Sequence, residues 1–280
     1  KQIINMKQIV VPTDFTDVAV SAVRYASELA IASGSVLNIL HIVENQNDVL
    51  KAELELELFA KKYAIVQSEH VKCTVRVGNI FDDIAKVAED EIADLVVMGT
   101  HGLRGMQFIV GSHALRIITE SEVPVLIVQA DTKKAGKPSS ILLPLDLHKE
   151  TKQKLKIASD YATKFNSTIH IILPTEKDEY LNNTIRRNMA YAEGFLEEKG
   201  VKYVTAFTKE DSGGFVEGLL KYGKNESIDL ICILNNSDER LLHAFGADSE
   251  QKIITNEAAI PVLIINPKSA LVDAASIFAQ

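Results

Sequence analysis

The run Gly99-Thr100-His101-Gly102-Leu103-Arg104-Gly105, followed after five intervening residues by Gly111-Ser112-His113, has the residue types of an anion cradle. Its spacing reads Gly-x2-Gly-x8-Gly-Ser, with Ser112 opening an expected helix. Glycines let backbone N–H groups approach an anion with no Cβ in the way. A helix start adds unpaired N–H groups and a positive dipole end, and the Ser112 hydroxyl adds one more donor. Arg104 can reach a phosphate with a forked pair of donors. The same residues also suit a plain βα turn with Ser112 as an ordinary N-cap, and spacing alone does not separate the two. The chain contains neither a Walker A sequence nor Gly-x-Gly-x-x-Gly.

Asp14, in Val11-Pro12-Thr13-Asp14-Phe15-Thr16, is the second candidate. An acid that ends a strand before a helix can meet a ligand, but it can equally be an N-cap or an Asx-turn. Asp146 holds the matching place later in the chain and fits either role. His101 and His113 stand near the candidate phosphates, yet two histidines with no carboxylate or cysteine beside them make a weak metal set. No metal site is expected. His41 ends an expected core strand and reads as a satisfied buried histidine.

These residues need a frame, and the chain writes that frame twice. Ile9-Val10-Val11-Pro12-Thr13-Asp14 returns as Leu142-Leu143-Pro144-Leu145-Asp146, at an offset of 132. Ala93-Asp94-Leu95-Val96-Val97-Met98 returns as Ile228-Asp229-Leu230-Ile231-Cys232-Ile233, at 135, and Pro124-Val125-Leu126-Ile127-Val128 returns as Pro261-Val262-Leu263-Ile264-Ile265, at 137. Three blocks in one order imply two related domains of about 130 residues. The expected division is 1–130, a polar linker at 131–138 closed by Gly136 and Pro138, a second domain at 139–267 and a tail at 268–280.

Within the first repeat, strands are expected near 7–13, 36–43, 71–77, 94–99 and 124–129, because the runs are β-branched and nearly continuous. Helices are expected near 16–33, 48–68, 80–92 and 112–121, the first capped by Thr16 or Asp17 and stopped by Gly34. The second repeat has strands near 140–145, 168–173, 201–207, 229–234 and 261–265. This alternation implies parallel sheets with right-handed crossovers and helices on both faces. Ligands in such folds sit beyond the carboxyl ends of the strands, where strand order reverses. That narrows the search to 12–17, 41–44 and 99–112.

Composition removes several function classes. The chain has 280 residues, 46 % of them hydrophobic and 24 % charged, with a net charge of -8. Residues 1–132 carry 11 basic and 18 acidic side chains, and a surface this acidic repels a phosphate backbone or an anionic membrane. No run approaches the ~18 apolar residues of a membrane span. Lys1-Gln2-Ile3-Ile4-Asn5 lacks the zones of a signal peptide, and Met6 reads as a natural start. Cys73 and Cys232 supply no disulfide framework, so a cytoplasmic location is expected.

Taken together, Val11-Pro12-Thr13-Asp14-Phe15-Thr16, His41-Ile42-Val43-Glu44, Asp94-Leu95-Val96-Val97-Met98-Gly99-Thr100-His101-Gly102, Gly111-Ser112 and Pro124-Val125-Leu126-Ile127-Val128 resemble the universal stress protein family over nearly the whole first repeat. The resemblance implies two tandem Rossmann-like domains of the adenine nucleotide alpha hydrolase-like type, each a five-stranded parallel sheet of order 3-2-1-4-5 flanked by helices. It implies ATP or AMP, with or without Mg2+, bound in the first repeat. Asp14 would hydrogen-bond the adenosine moiety, with Pro12, Thr13 and Val43 around the base and Met98 beside them. Gly99, Gly102, Gly111 and Ser112 would line the ribose and phosphates, with His101 and His113 near them and Arg104 as an added phosphate contact. The family's ATP-binding pattern places nine residues between its second and third glycines, and this chain has eight. One residue fewer removes up to ~3.5 Å of reach. Gly105 re-forms the loop, or the pocket prefers AMP, or it takes no nucleotide.

The second repeat lacks the motif. Its fourth strand runs into Leu234-Asn235-Asn236-Ser237-Asp238-Glu239-Arg240, and its next helix opens with Gly246-Ala247-Asp248. Side chains replace glycines there, and four acids oppose a triphosphate, so no ATP is expected in this half. The fifth strands of family members commonly pair, which implies an intramolecular pseudo-dimer, with a homodimer also open. Ser212-Gly213-Gly214 reads as a helix N-cap with a flexible lead-in, Cys232 as core, and 269–280 as a short docked helix. No nucleophile–base–orienter set is visible, so no catalytic residue is assigned and an efficient enzyme is not expected, although slow ATP hydrolysis is compatible with the site. Two functional classes follow: a nucleotide-binding stress or signalling protein with an unknown protein partner, and a nucleotide-free scaffold of the same fold.

Overall fold

The structure, a computed structural model, describes residues 6–100, 118, 121–132, 136–145, 151–235 and 251–266. Its first half comprises β1 (Gln8–Pro12), α1 (Asp17–Ser33), β2 (Val36–Val43), α2 (Val49–Tyr63), β3 (Val71–Val77), α3 (Ile80–Asp90), β4 (Leu95–Thr100) and β5 (Val125–Gln129). The second half comprises β6 (Ser140–Pro144), α4 (Thr151–Phe165), β7 (Thr168–Leu173), α5 (Glu179–Lys199), β8 (Tyr203–Phe207), α6 (Phe215–Asn225), β9 (Leu230–Leu234) and β10 (Val262–Ile265). The sheet order is β3-β2-β1-β4-β5-β10-β9-β6-β7-β8, so each half reads 3-2-1-4-5. Pairing is parallel inside each half. Between the two edge strands β3 and β8, alternate side chains of each strand feed two apolar layers, one under α1, α2, α4 and α5, the other under α3 and α6.

Local chemistry sets the helix ends. Thr16 is the N-cap of α1, its hydroxyl oxygen accepting from the Ala19 N–H at 3.4 Å, and Gly34 ends the helix in the left-handed region at φ 73°. At the matching end of α4, Asn166 takes the same conformation at φ 56°. Helix α2 stops at Tyr63, short of the expected end near 68. Ala64 turns extended, Ile65 N donates to Ser27 Oγ at 3.4 Å, and Ala64 and Val66 pack against the core as extended chain. Their apolar spacing imitates a continuing helix face. At α6 the N-cap is Gly214, while the Ser212 hydroxyl and N–H both bond to Glu176 Oε1, which corrects the expected role of Ser212. The expected helix at 112–121 falls outside the described residues except for Ile118, which is helical, and Ser121.

The halves join edge to edge. β5 and β10 pair antiparallel, with Val125 opposite Ile264, Leu126 opposite Leu263 and Ile127 opposite Val262. At the end of each fifth strand an amide reaches across the seam. Gln129 Nε2 donates to the carbonyls of Ile254 (3.1 Å) and Asn256 (3.0 Å), and Thr132 Oγ1 donates to Ala259 O at 3.0 Å. Reciprocally, Asn266 Nδ2 donates to the carbonyls of Ile118 and Ser121, and Asn266 Oδ1 accepts from Asn235 Nδ2 at 2.7 Å. The connection then crosses α1: Gly136 N donates to Glu28 Oε2 at 2.9 Å, and a Cβ at Gly136 would lie 2.5 Å from both Leu29 N and Tyr25 O.

Gln129→Leu strips two buried carbonyls of their donor. It is expected to cost about 1–3 kcal/mol, read as a lower urea midpoint with an unchanged slope.

Candidate functional site

β1 lies between β2 and β4, and it is here that the chain reverses its direction of travel across the sheet. Pairing of Pro12 with Leu40 and of Val10 with Val96 sets Met98 level with Pro12. The carboxyl ends of these strands therefore gather Pro12, Thr13, Asp14, Val43, Met98 and Gly99 at one switch point.

Thr13 is buried and extends the ladder, its N–H donating to Leu40 O at 2.8 Å. Its hydroxyl oxygen accepts from Phe15 N at 3.0 Å. Its carbonyl accepts from His41 Nδ1 at 2.8 Å. A carbonyl can only accept, so Nδ1 carries the proton in this contact. Asp14 is exposed and builds an Asx-turn, Oδ1 accepting from Thr16 N (3.1 Å) and Thr16 Oγ1 (2.5 Å). Among the described residues Oδ2 takes no hydrogen bond. Phe15, between them, is left-handed at φ 65°, uncommon for a bulky side chain. Its ring lies 4.5 Å from the His41 ring and 5.4 Å from that of Phe59. The outcome is an acidic turn tip directly ahead of the positive end of α1.

Val43 and Met98 are buried, and Met98 belongs to the apolar layer shared with Ile84 and Val87. Gly99 has a packing reason of its own. A Cβ there would sit 2.4 Å from Val18 Cγ1 and 2.5 Å from the Val18 carbonyl oxygen. The absent side chain lets the first turn of α1 lie directly on β4. His101, Gly102, Arg104, Gly111, Ser112 and His113 lie outside the described residues.

In the second half the corresponding strand end differs. Lys154 on α4 is only 3 % exposed, and its ammonium donates at 2.5 Å to the carbonyl of Pro144, which the repeat matches to Pro12. Sequence reasoning passed over this residue. The signal was present, since Lys154 precedes Ala158 by four residues and Tyr161 by seven, on the buried face of α4. Cys232 is buried, and burial pushes its thiol up to about 12, which keeps it protonated at neutral pH. Asp146 lies outside the described residues. Among the described residues no group of three His, Cys, Asp or Glu could hold a metal ion, and no helix is long and apolar enough to cross a membrane.

The sequence profile of the universal stress protein family matches residues 5–129. A universal stress protein of Methanocaldococcus jannaschii is 31 % identical over 143 residues, covering 45 % of this chain and 84 % of that protein. The chain belongs to the universal stress protein family. Universal stress protein G of Escherichia coli O157:H7 is 28 % identical over 141 residues, 44 % of this chain and 99 % of its own length. A crystal structure of a universal stress protein from Archaeoglobus fulgidus DSM 4304 superposes with a TM-score of 0.70 over 94 % of this chain and 97 % of that one. At 16 % identity that likeness concerns the fold alone, and it spans both halves. Single-domain relatives thus account for the first half of a universal stress protein whose sheet runs on through a second.

Gly99→Ala tests the contact that seats α1 over the site. The clash with Val18 is expected to cost about 1–3 kcal/mol, measured by chemical denaturation.

Proposed function

We propose that this universal stress protein binds an adenine nucleotide, ATP or AMP, at the switch point of its first half, while the second half serves as scaffold or regulator. In this reading residues 1–130 form the nucleotide domain, 131–138 the linker, 139–267 the degenerate domain and 268–280 the tail. The observation that carries it is the exposed Asp14 carboxylate, held at the end of β1 by its own Asx-turn with Oδ2 open among the described residues. An acceptor so placed suits the hydroxyl or amino hydrogens of an adenosine moiety. Pro12, Thr13 and Val43 supply the surroundings of the base, with Met98 behind them. Gly99, Gly102, Gly111 and Ser112 line the ribose and phosphates, His101 and His113 stand beside them, Arg104 adds a forked donor, and Mg2+ accompanies the phosphates where three are present. The protein acts from the cytoplasm through a protein partner, as a pseudo-dimer or a dimer of such chains. It performs no efficient catalysis.

A nucleotide-free scaffold is the second reading. Two features favour it: the eight-residue spacing between Gly102 and Gly111, and the packing role that accounts for Gly99 without a ligand.

Calorimetric titration of nucleotide-stripped protein with ATP and AMP, with and without Mg2+, separates the readings. One site per chain, abolished by Asp14→Ala and by Gly111→Val, is the expected result. Absence of heat and of thermal shift up to millimolar nucleotide would retire nucleotide binding and leave the scaffold.

A further inference from the structure

We infer that His41 is a positioning residue for the Asp14 turn, bracing that turn from β2 on both sides of Asp14. The turn runs from Thr13 to Thr16, and its conformation is not one the chain adopts unaided. Phe15 sits at φ 65° although it is bulky, a state that persists only where surroundings over-determine it. Two of the bonds that hold it are internal to the turn, Phe15 N to Thr13 Oγ1 and Thr16 N to Asp14 Oδ1. Both can be lost together, because each ends on a side chain that the same segment carries.

His41 is anchored elsewhere. It sits in β2, paired with Val75 of β3, so its backbone belongs to the sheet rather than to the turn. From there one ring makes two contacts: Nδ1–H to the Thr13 carbonyl at 2.8 Å, and a tilted packing on the Phe15 ring with centroids 4.5 Å apart. These contacts flank Asp14 in the chain. Phe59 of α2 backs the Phe15 ring from 5.4 Å and completes the brace. The consequence is a carboxylate direction set before any ligand arrives, which lowers the ordering cost of binding. A plain core histidine would need no defined tautomer and would not touch the residues on both sides of one turn acid. The effect on a ligand rests on the nucleotide reading above; the brace itself does not.

Three measurements on the full-length chain test it. Nitrogen-15 spectra of the unliganded protein should show His41 protonated at Nδ1 when neutral; an Nε2-protonated ring would overturn the inference without any variant. His41→Phe keeps a ring against Phe15 but removes the donor, whereas His41→Asn offers an amide N–H in the place of Nδ1. Amide exchange at Phe15 and Thr16 should quicken about tenfold in His41→Phe, the size set by one ordinary hydrogen bond, with α5 amides unchanged. His41→Asn should recover part of that protection. Equal exchange in the wild type and His41→Phe would sink the brace. ATP and AMP titrations should show a parallel loss of affinity in His41→Phe. If the wild type binds no nucleotide, the nucleotide reading falls while tautomer and exchange still decide the role of His41.

Discussion

The antiparallel pairing of β5 with β10 is the contact on which the rest of the molecule hangs. Both strands are wholly apolar over Val125–Val128 and Val262–Ile265, and all eight side chains are buried. Burying each contributes on the order of 1.5–3 kcal/mol, and an exposed edge of this composition would invite pairing with any other strand. Joining them inside one chain removes both edges and turns two five-stranded halves into one sheet. The Gln129 and Asn266 amides then tie the backbone of each half to the strand end of the other, so the seam is polar at its limits and apolar at its centre.

That frame explains why the first-half site has its shape. With β1 held between β2 and β4, the end of β1 cannot move without breaking the Thr13–Leu40 and Thr13–His41 bonds. Helix α1 is seated by the missing side chain of Gly99, so its capping residue Thr16 stands at a fixed height above the sheet. Asp14 joins these two constraints. Its carboxylate gives Oδ1 to the turn and, among the described residues, leaves Oδ2 without a hydrogen bond.

The strands were legible in the sequence because parallel strands buried on both faces read as nearly unbroken apolar runs; Leu95–Thr100 and Val125–Gln129 fall where the runs do. Membership of the universal stress protein family was legible through its combined motifs. What was not legible came from contacts between segments far apart in the chain. The end of α2 depends on Ser27, 38 residues before its partner Ile65, and no local signal near Ala64 announces it. The packing role of Gly99 depends on Val18, and from spacing alone that glycine is indistinguishable from one kept clear for a phosphate. Phe15 in the left-handed region has no sequence signature, since its neighbours rather than its own preferences hold it there.

Lys154 shows how far two copies of one fold have separated. At the repeat offset its counterpart is Ala22, fully buried on α1. Placing a lysine there brings an ammonium into the apolar layer, and burial of a charge is tolerated only when strong acceptors meet it. The Pro144 carbonyl, at the strand end matched to Pro12, is one such acceptor. The strand end of the second half is therefore engaged by its own helix, whereas the corresponding turn in the first half is closed by a histidine from the neighbouring strand and leaves its acid facing water. The two switch points share a topology and differ in electrostatics. Duplication of the sheet has kept its strand order while replacing the polar contacts at the end of the first strand.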